Sequence, residues 1–237
     1  MSAATVDASQ RRAAKIIGLA YLLGMATAIF ADVYVRGRLI VPDSAIETAR
    51  NLLANETMWR LGIAGYLACM VSVAVLTAAL YVVLERVDRS LAILATLLRV
   101  IEIAVGVVAT LSSLEALRLL SGASYLQAFS TEQLQGLARL PISAYGTAIN
   151  VSFVFLGCGS TAFSYLWLRS GYIPKPLAAL GVIGSALLAI GAFAIVVLPQ
   201  LAKTLSMLHM LPLGVFEVTL GFWLLIKGLR EGISDGS

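Results

Sequence analysis

Apolar residues run through this chain in six long blocks, at about 14–35, 61–84, 91–114, 142–168, 177–199 and 205–226. Charges, prolines and glycines gather in the gaps, which read "RGRLIVPDS", "ERVDRS", "RSGYIPKP" and "LPQLAK" among others. Wound as helices at about 1.5 Å per residue, each block can cross the roughly 30 Å of bilayer hydrocarbon. No ten-residue alternating segments suggest a barrel. A backbone group left unsatisfied in hydrocarbon costs several kcal/mol, which favours helices over any open structure. The pattern therefore predicts an all-α polytopic membrane protein, a bundle of six transmembrane helices forming one domain over 14–230. Short tails, 1–13 and 231–237, flank it.

Two gaps are long enough to hold structure of their own. In "PDSAIETARNLLANE", Ser44 and Glu47 have capping-box spacing, and Ile46, Ala49 and Leu53 follow on one helical face. In "STEQLQGLARL", Ser130 and Gln133 repeat the spacing ahead of Leu134, Leu137 and Ala138. Each predicts a short amphipathic helix lying in an outer loop. The sharper alternative is a pair of lids over an outward-facing vestibule.

Composition agrees with this picture. The chain is 59% hydrophobic and 13% charged, about half the charge a water-soluble surface carries. Apart from Arg99, its Lys and Arg lie at or beyond the ends of the apolar blocks rather than forming a patch, which excludes nucleic acid and leaves the lipid bilayer, a second copy or another membrane protein as partners. With the N-terminus inside, Arg11, Arg12, Lys15, Arg86, Arg89, Arg169, Lys175, Lys227 and Arg230 face the cytoplasm, against Arg36, Arg38, Arg50, Arg60, Arg118, Arg139 and Lys203 outside. The inner set sits in short segments beside span ends, where the positive-inside rule acts most strongly. Both termini are expected in the cytoplasm. The first block follows its basic residues at too great a length for a cleavable signal and reads as a retained span. Cys69 and Cys158 lie within apolar blocks and read as packing residues rather than a disulfide.

Charges inside the blocks are the chemistry worth following. "TLLRVIEIAVG" puts Arg99 and Glu102 three residues apart on one helical face, and the last block adds Glu217. Counted along the spans, Arg99, Glu102 and Glu217 fall at about 12, 16 and 15 Å above the inner boundary. They meet if the third and sixth spans are neighbours. A charge at a span centre costs about 2.5–3.5 kcal/mol on insertion scales, so partners are expected. Two carboxylates about one guanidinium leave a formal charge of −1, which a shared proton would remove. That is the chemistry of a proton-coupled carrier and equally of a structural clasp.

Asp32 shares a stripe with Ala20, Gly24 and Ala28, and pairs with Arg36 or Arg38 in this reading. Small residues four apart let helices approach, and Gly181, Ser185 and Ala189 repeat the device in the fifth block. Asn150 reads as an interhelical hydrogen-bond donor, and His209, the single histidine, as a packing residue. One histidine supports neither bis-His haem nor a three-His zinc site, and HExxH, GxSxG and GxxxxGK[ST] are missing. No cofactor, metal or catalytic activity is expected.

A weak internal repeat pairs "VIEIAVG" (100–106) with "VFEVTLG" (215–221), "LGIAG" with "LGVIG" and "LGMATAIF" with "LGCGSTAF". It would relate two inverted three-span halves and make Glu102 and Glu217 equivalent. Three longer motifs carry a resemblance. "VPDSAIETARNLLANE" contains Asp43, Ser44, Ala45 and Thr48. "LRSGYIPKPLAALGV" contains Arg169, Ser170, Gly171 and Pro174. "VFEVTLGFWLLIKG" contains Glu217, Trp223, Leu224, Leu225, Lys227 and Gly228. From about residue 12 to 230 the chain resembles the bacterial family called domain of unknown function 4386. The resemblance implies a multi-pass protein of the bacterial inner membrane and supplies no substrate. Two functional readings stand: a small membrane scaffold or partner-binding protein with a buried Arg/Glu cluster, and a proton-coupled small-solute carrier using that cluster.

Overall fold

A computed structural model describes residues 6–205 and 208–231. Residues 1–5, 206–207 and 232–237 and the side chain of Lys203 lie outside the described residues. With them go parts of both predicted tails, the start of the sixth block and one predicted outer charge. Every regular element among the described residues is helical. α1 (Ala8–Ala28) continues through a π-helical stretch (Ile29–Arg36) into α2 (Gly37–Leu39). There follow α3 (Ala45–Ala54), α4 (Glu56–Leu84), α5 (Arg89–Leu120), a 3₁₀ turn (Ser124–Leu126) and α6 (Thr131–Ser170). The chain closes with α7 (Lys175–Val197), α8 (Leu201–Leu205) and α9 (Leu211–Ile226).

Local chemistry sets most of these boundaries. Asp7 accepts from the Gln10 amide at 2.8 Å while the Gln10 side chain accepts from the Asp7 amide at 3.2 Å, a reciprocal cap at the head of α1. That amide bond, with Arg86 adding a 2.5 Å ion pair, holds the Asp7 carboxyl below its ordinary pKa. Asp88 caps α5 through the Leu91 amide and also meets Arg169 at 3.3 Å. Gly171 ends α6 at φ +69°, in the left-handed region that side chains avoid. Pro174 and Pro176 then start α7, where a missing N–H costs nothing. The Arg230 amide donates to the Tyr172 carbonyl at 2.8 Å, so the R-S-G turn and the segment after W-L-L-x-K-G are tied together.

The structure departs from the expected layout in four places. Among the described residues five helices, not six, are long and apolar enough to cross a membrane: Ala8–Leu39, Glu56–Leu84, Arg89–Leu120, Thr131–Ser170 and Lys175–Val197. α9 has 16 residues, about 24 Å at 1.5 Å each, because Pro212 in its first turn belongs at a helix start and not within a longer helix. The Ser130/Gln133 capping box forms in full, with both reciprocal bonds, but it opens no separate surface helix. It starts the 40-residue α6, which runs through Pro141, since proline's fixed φ is itself helical and only one backbone bond is forfeited. At α3 only half the box forms. The Glu47 amide donates to Ser44 Oγ, whereas the Ser44 amide donates to the Val41 carbonyl. The packed face of α3 is Thr48, Ala49 and Leu52, with Ile46 and Leu53 exposed. Nothing in the pattern predicted the π-helical stretch.

The chain gathers into two compact units. One comprises residues up to Leu23, Ser72–Ile103 and from Asn150 onward; its core includes Ile17, Leu80, Leu84, Trp167, Phe216 and Leu220. The other comprises Gly24–Val71 and Ala104–Ile149, around Val35, Leu52, Trp59, Ala116 and Ile142. In the first unit glycines set the helix spacing. A Cβ on Gly157 would stand 2.5 Å from the Ala189 backbone nitrogen, one on Gly184 2.7 Å from that of Leu213, and one on Gly18 2.7 Å from the Gly221 carbonyl. These are contacts of α6 with α7, α7 with α9, and α1 with α9. The Gly181–Ser185–Ala189 stripe is buried, and Ser72 Oγ donates to the Ala20 carbonyl at 3.0 Å.

Two glycines of α6 make a matched test. Gly157→Ala drives a methyl into the backbone of α7 and should cost about 1–3 kcal/mol of stability. Gly146 meets nothing within 4 Å, so Gly146→Ala should be neutral or gain up to about 1 kcal/mol from helix propensity. Thermal unfolding in detergent compares them, and equal effects would refute the close α6–α7 contact.

Candidate functional site

Each unit holds one arginine deep among apolar residues. In the first it is Arg99, on α5, its side chain 3% exposed. The i, i+3 spacing brings Glu102 onto the same face, and Arg99 Nη1 lies 2.9 Å from Glu102 Oε2. The same nitrogen donates to Ser160 Oγ of α6 at 3.3 Å. Gly159 makes room for the arginine stem, since a Cβ there would stand 3.1 Å from Arg99 Cγ. "GCGS" in the fourth block thus has three separate tasks: Gly157 admits α7, Gly159 admits the arginine and Ser160 binds it. Close as it is, the Arg99–Glu102 contact is not aligned as a hydrogen bond, and Arg99 Nε has no acceptor among the described residues. The pair is held by charge at short range more than by directed bonds.

Glu217, on α9, is half-buried and within electrostatic reach of Arg99, Glu102 and Tyr21. It forms no ion pair within 4.0 Å among the described residues. The three predicted charges thus share a neighbourhood, with one tight pair and one looser carboxylate.

In the second unit the centre is Arg36, at the end of the π-helical stretch. Its Nε lies 3.7 Å from Asp32 Oδ1, Nη1 donates to Ser113 Oγ at 2.9 Å, and Nη2 donates to the Ile142 carbonyl at 3.4 Å. The guanidinium carbon sits 3.6 Å from the Tyr145 ring centroid and 4.9 Å from that of Trp59, both within cation–π range. Tyr145 donates its hydroxyl to Asp32 Oδ1 at 2.8 Å, and Trp59 donates its indole N–H to the Ser113 carbonyl at 3.0 Å. Tyr66 meets Tyr145 edge to face. The crevice lined by this group has a volume of about 10 Å³, room for about one water molecule.

The expected pairing of Asp32 with Arg36 or Arg38 resolves to Arg36, while Arg38 stacks on Tyr34. The aromatic cage around it was missed, because Arg36 read as a loop charge. Its spacing from Asp32 was the available signal, but the π-helical turn, which inserts one residue per turn, was invisible. Asn150 donates to the Ala192 carbonyl of α7 at 3.1 Å. His209 packs on Gly191, where a Cβ would stand 2.8 Å from the ring, and its Nδ1 lies 3.3 Å from the Leu205 carbonyl. Neither joins the Arg99 or the Arg36 group. Cys69 and Cys158 are free thiols. Among the described residues no three His, Cys, Asp or Glu side chains are grouped as a metal site.

Long apolar helices and two enclosed arginines define a chain built to meet a membrane. More particularly, it belongs to the family described as Domain of unknown function (DUF4386), whose model matches residues 16–228. No curated protein and no solved structure matches it.

The Arg36 cage gives a direct test. Arg36→Gln removes the guanidinium that donates to Ser113 and Ile142 and pairs with half-exposed Asp32, and should cost about 1.5–3 kcal/mol. Arg36→Lys should also destabilise, since an ammonium cannot reach Ser113 and the Ile142 carbonyl with a forked donor set and stack on the rings as well. Tyr145→Phe, which removes only the hydroxyl on Asp32, should cost about 1.5–3 kcal/mol. A lysine variant that unfolds at the wild-type temperature would show that the cage is not structural.

Proposed function

We propose that this is a six-span integral protein of the bacterial inner membrane, with both termini in the cytoplasm, acting as a small membrane scaffold or partner-binding protein. Large apolar side chains such as Leu19, Val71, Leu97, Val108 and Ile190 stand exposed along the long helices, a surface suited to lipid and not to water. α9 serves as the sixth crossing in this reading. Its contacts at Leu213, Phe216 and Gly221 run beside α7 and α1 along most of its length, and local thinning or slight tilting accommodates a short span. α3 and the start of α6 then lie toward the outer face.

One observation carries the scaffold reading over a carrier: the Arg99–Glu102 pair is closed off. Both side chains are under 7% exposed, and Arg99, Glu102 and Glu217 line neither the crevice at Arg36 nor that at Arg60. A carrier needs its charged site to open to water, whereas a clasp needs it shut. The glycine stripes are spent on contacts within the chain, so a partner would meet the apolar outer faces. A proton-coupled carrier is the second reading, and Glu217, looser than the pair it adjoins, is the residue in its favour.

A double-mutant cycle on Arg99→Gln and Glu102→Gln, read by thermal unfolding in detergent, separates the two. Each single change should cost roughly 3–5 kcal/mol, with the double variant recovering much of the loss. Additive losses would sink the clasp. Proton flux into liposomes that depends on Glu217, and is lost in Glu217→Gln with folding intact, would favour the carrier.

A further inference from the structure

We propose that the crevice between the start of α4 and the end of α5 is a binding site for an anionic phospholipid, its phosphate seated between Arg60 and Arg118 and its glycerol and first acyl carbons on a leucine floor. The crevice has a volume of about 280 Å³; Leu53, Leu114 and Leu117 form its apolar lining, and Arg60, Arg118 and Glu56 its charged one. That size is near the lower end for small-ligand sites. The lining holds two guanidiniums and one carboxylate, with Glu115, the partner of Arg118, just outside it.

Both guanidiniums are available. Their side chains are 57% and 67% exposed, and each is paired only with a carboxylate one turn away on its own helix: Arg60 with Glu56 at 2.7 Å, Arg118 with Glu115 at 3.3 Å. Exposed pairs of this kind contribute little, so a phosphate that both arginines reach together is a better acceptor. A free polar anion would leave the leucine floor unused. An amphiphile uses both parts, and its tail has a path: exposed Leu61 and Leu111 continue along α4 and α5 away from the crevice. Because Arg60 and Arg118 stand where apolar helices end, on the side this reading places outside, the site falls at the headgroup level of the outer leaflet, where guanidiniums can bind a lipid phosphate.

This inference rests on the membrane-spanning reading, and fractionation tests that first: a chain absent from the membrane pellet defeats the reading itself. For protein purified from the membrane in neutral detergent, native mass spectrometry measures binding of phosphatidylglycerol and of phosphatidylcholine. Phosphatidylglycerol should bind the wild type more tightly. Losing about fivefold per arginine, Arg60→Gln/Arg118→Gln should bind it about thirtyfold more weakly, with phosphatidylcholine unchanged. Because both side chains are exposed, the variant should unfold at the wild-type temperature without added lipid. Arg11→Gln/Arg12→Gln, which removes equal charge at the head of α1, should keep full binding. Equal affinity for the two lipids, or equal losses in the two double variants, would overturn the site.

Discussion

Leucine gains nothing by leaving hydrocarbon for another leucine, so a chain of lipid-facing helices must be held by other means. Close backbone approach is one, and it dominates the unit that contains α7 and α9. Gly157, Gly184 and Gly18 each meet the backbone of a neighbouring helix at distances where a single methyl would not fit. Dispersion falls steeply with separation, so these contacts fix how near the larger side chains come. Phe216, Trp167 and Leu220 fill what remains, and their burial follows from the glycines as much as from their own character.

The second means is pairing of polar groups, and the two arginines show different solutions. Arg36 donates through both Nη nitrogens, holds Asp32 3.7 Å from Nε and has aromatic faces at two distances. Guanidinium is suited to such a cage because it is planar, weakly hydrated and able to stack while it donates. Arg99 is more deeply enclosed, yet has one near carboxylate, one hydroxyl and an idle Nε. A fully satisfied charge anchors a structure, while a partly satisfied one holds it at greater cost.

Much of this was legible in the chain. Block lengths marked the long helices, capping pairs marked the starts at Thr131 and Ala45, and spacing paired Arg99 with Glu102 while leaving Asp32 to Arg36 or Arg38. Counting residues put Glu217 at the level of Arg99, and among the described residues it forms no ion pair within 4.0 Å. What was hidden has physical causes. The fourth block begins at 142, just after Pro141, but one missing N–H does not end a helix that is otherwise supported, and α6 runs through it. The sixth block, 205–226, contains Pro212, and α9 begins beside it. The aromatic cage needed Trp59, Ser113 and Tyr145 brought to Arg36 from three separate helices, and no periodicity within one helix encodes that.

Family membership adds meaning to the turns more than to the charges. Arg169 reaches Asp88, Gly171 takes the left-handed conformation, and the Tyr172 carbonyl accepts from Arg230 just beyond W-L-L-x-K-G. Two motifs far apart in sequence therefore specify a single junction that joins the ends of α5, α6 and α9. Such a junction requires particular residues whatever the protein binds, because its bonds run through a fixed turn and a backbone carbonyl. Motifs recognisable along the chain can thus be architectural, and the function must be sought where the architecture leaves a polar group short of partners or an apolar surface uncovered. Here those places are the Arg99 neighbourhood, with its idle Nε and the looser Glu217, and the arginine-rimmed crevice beside α4.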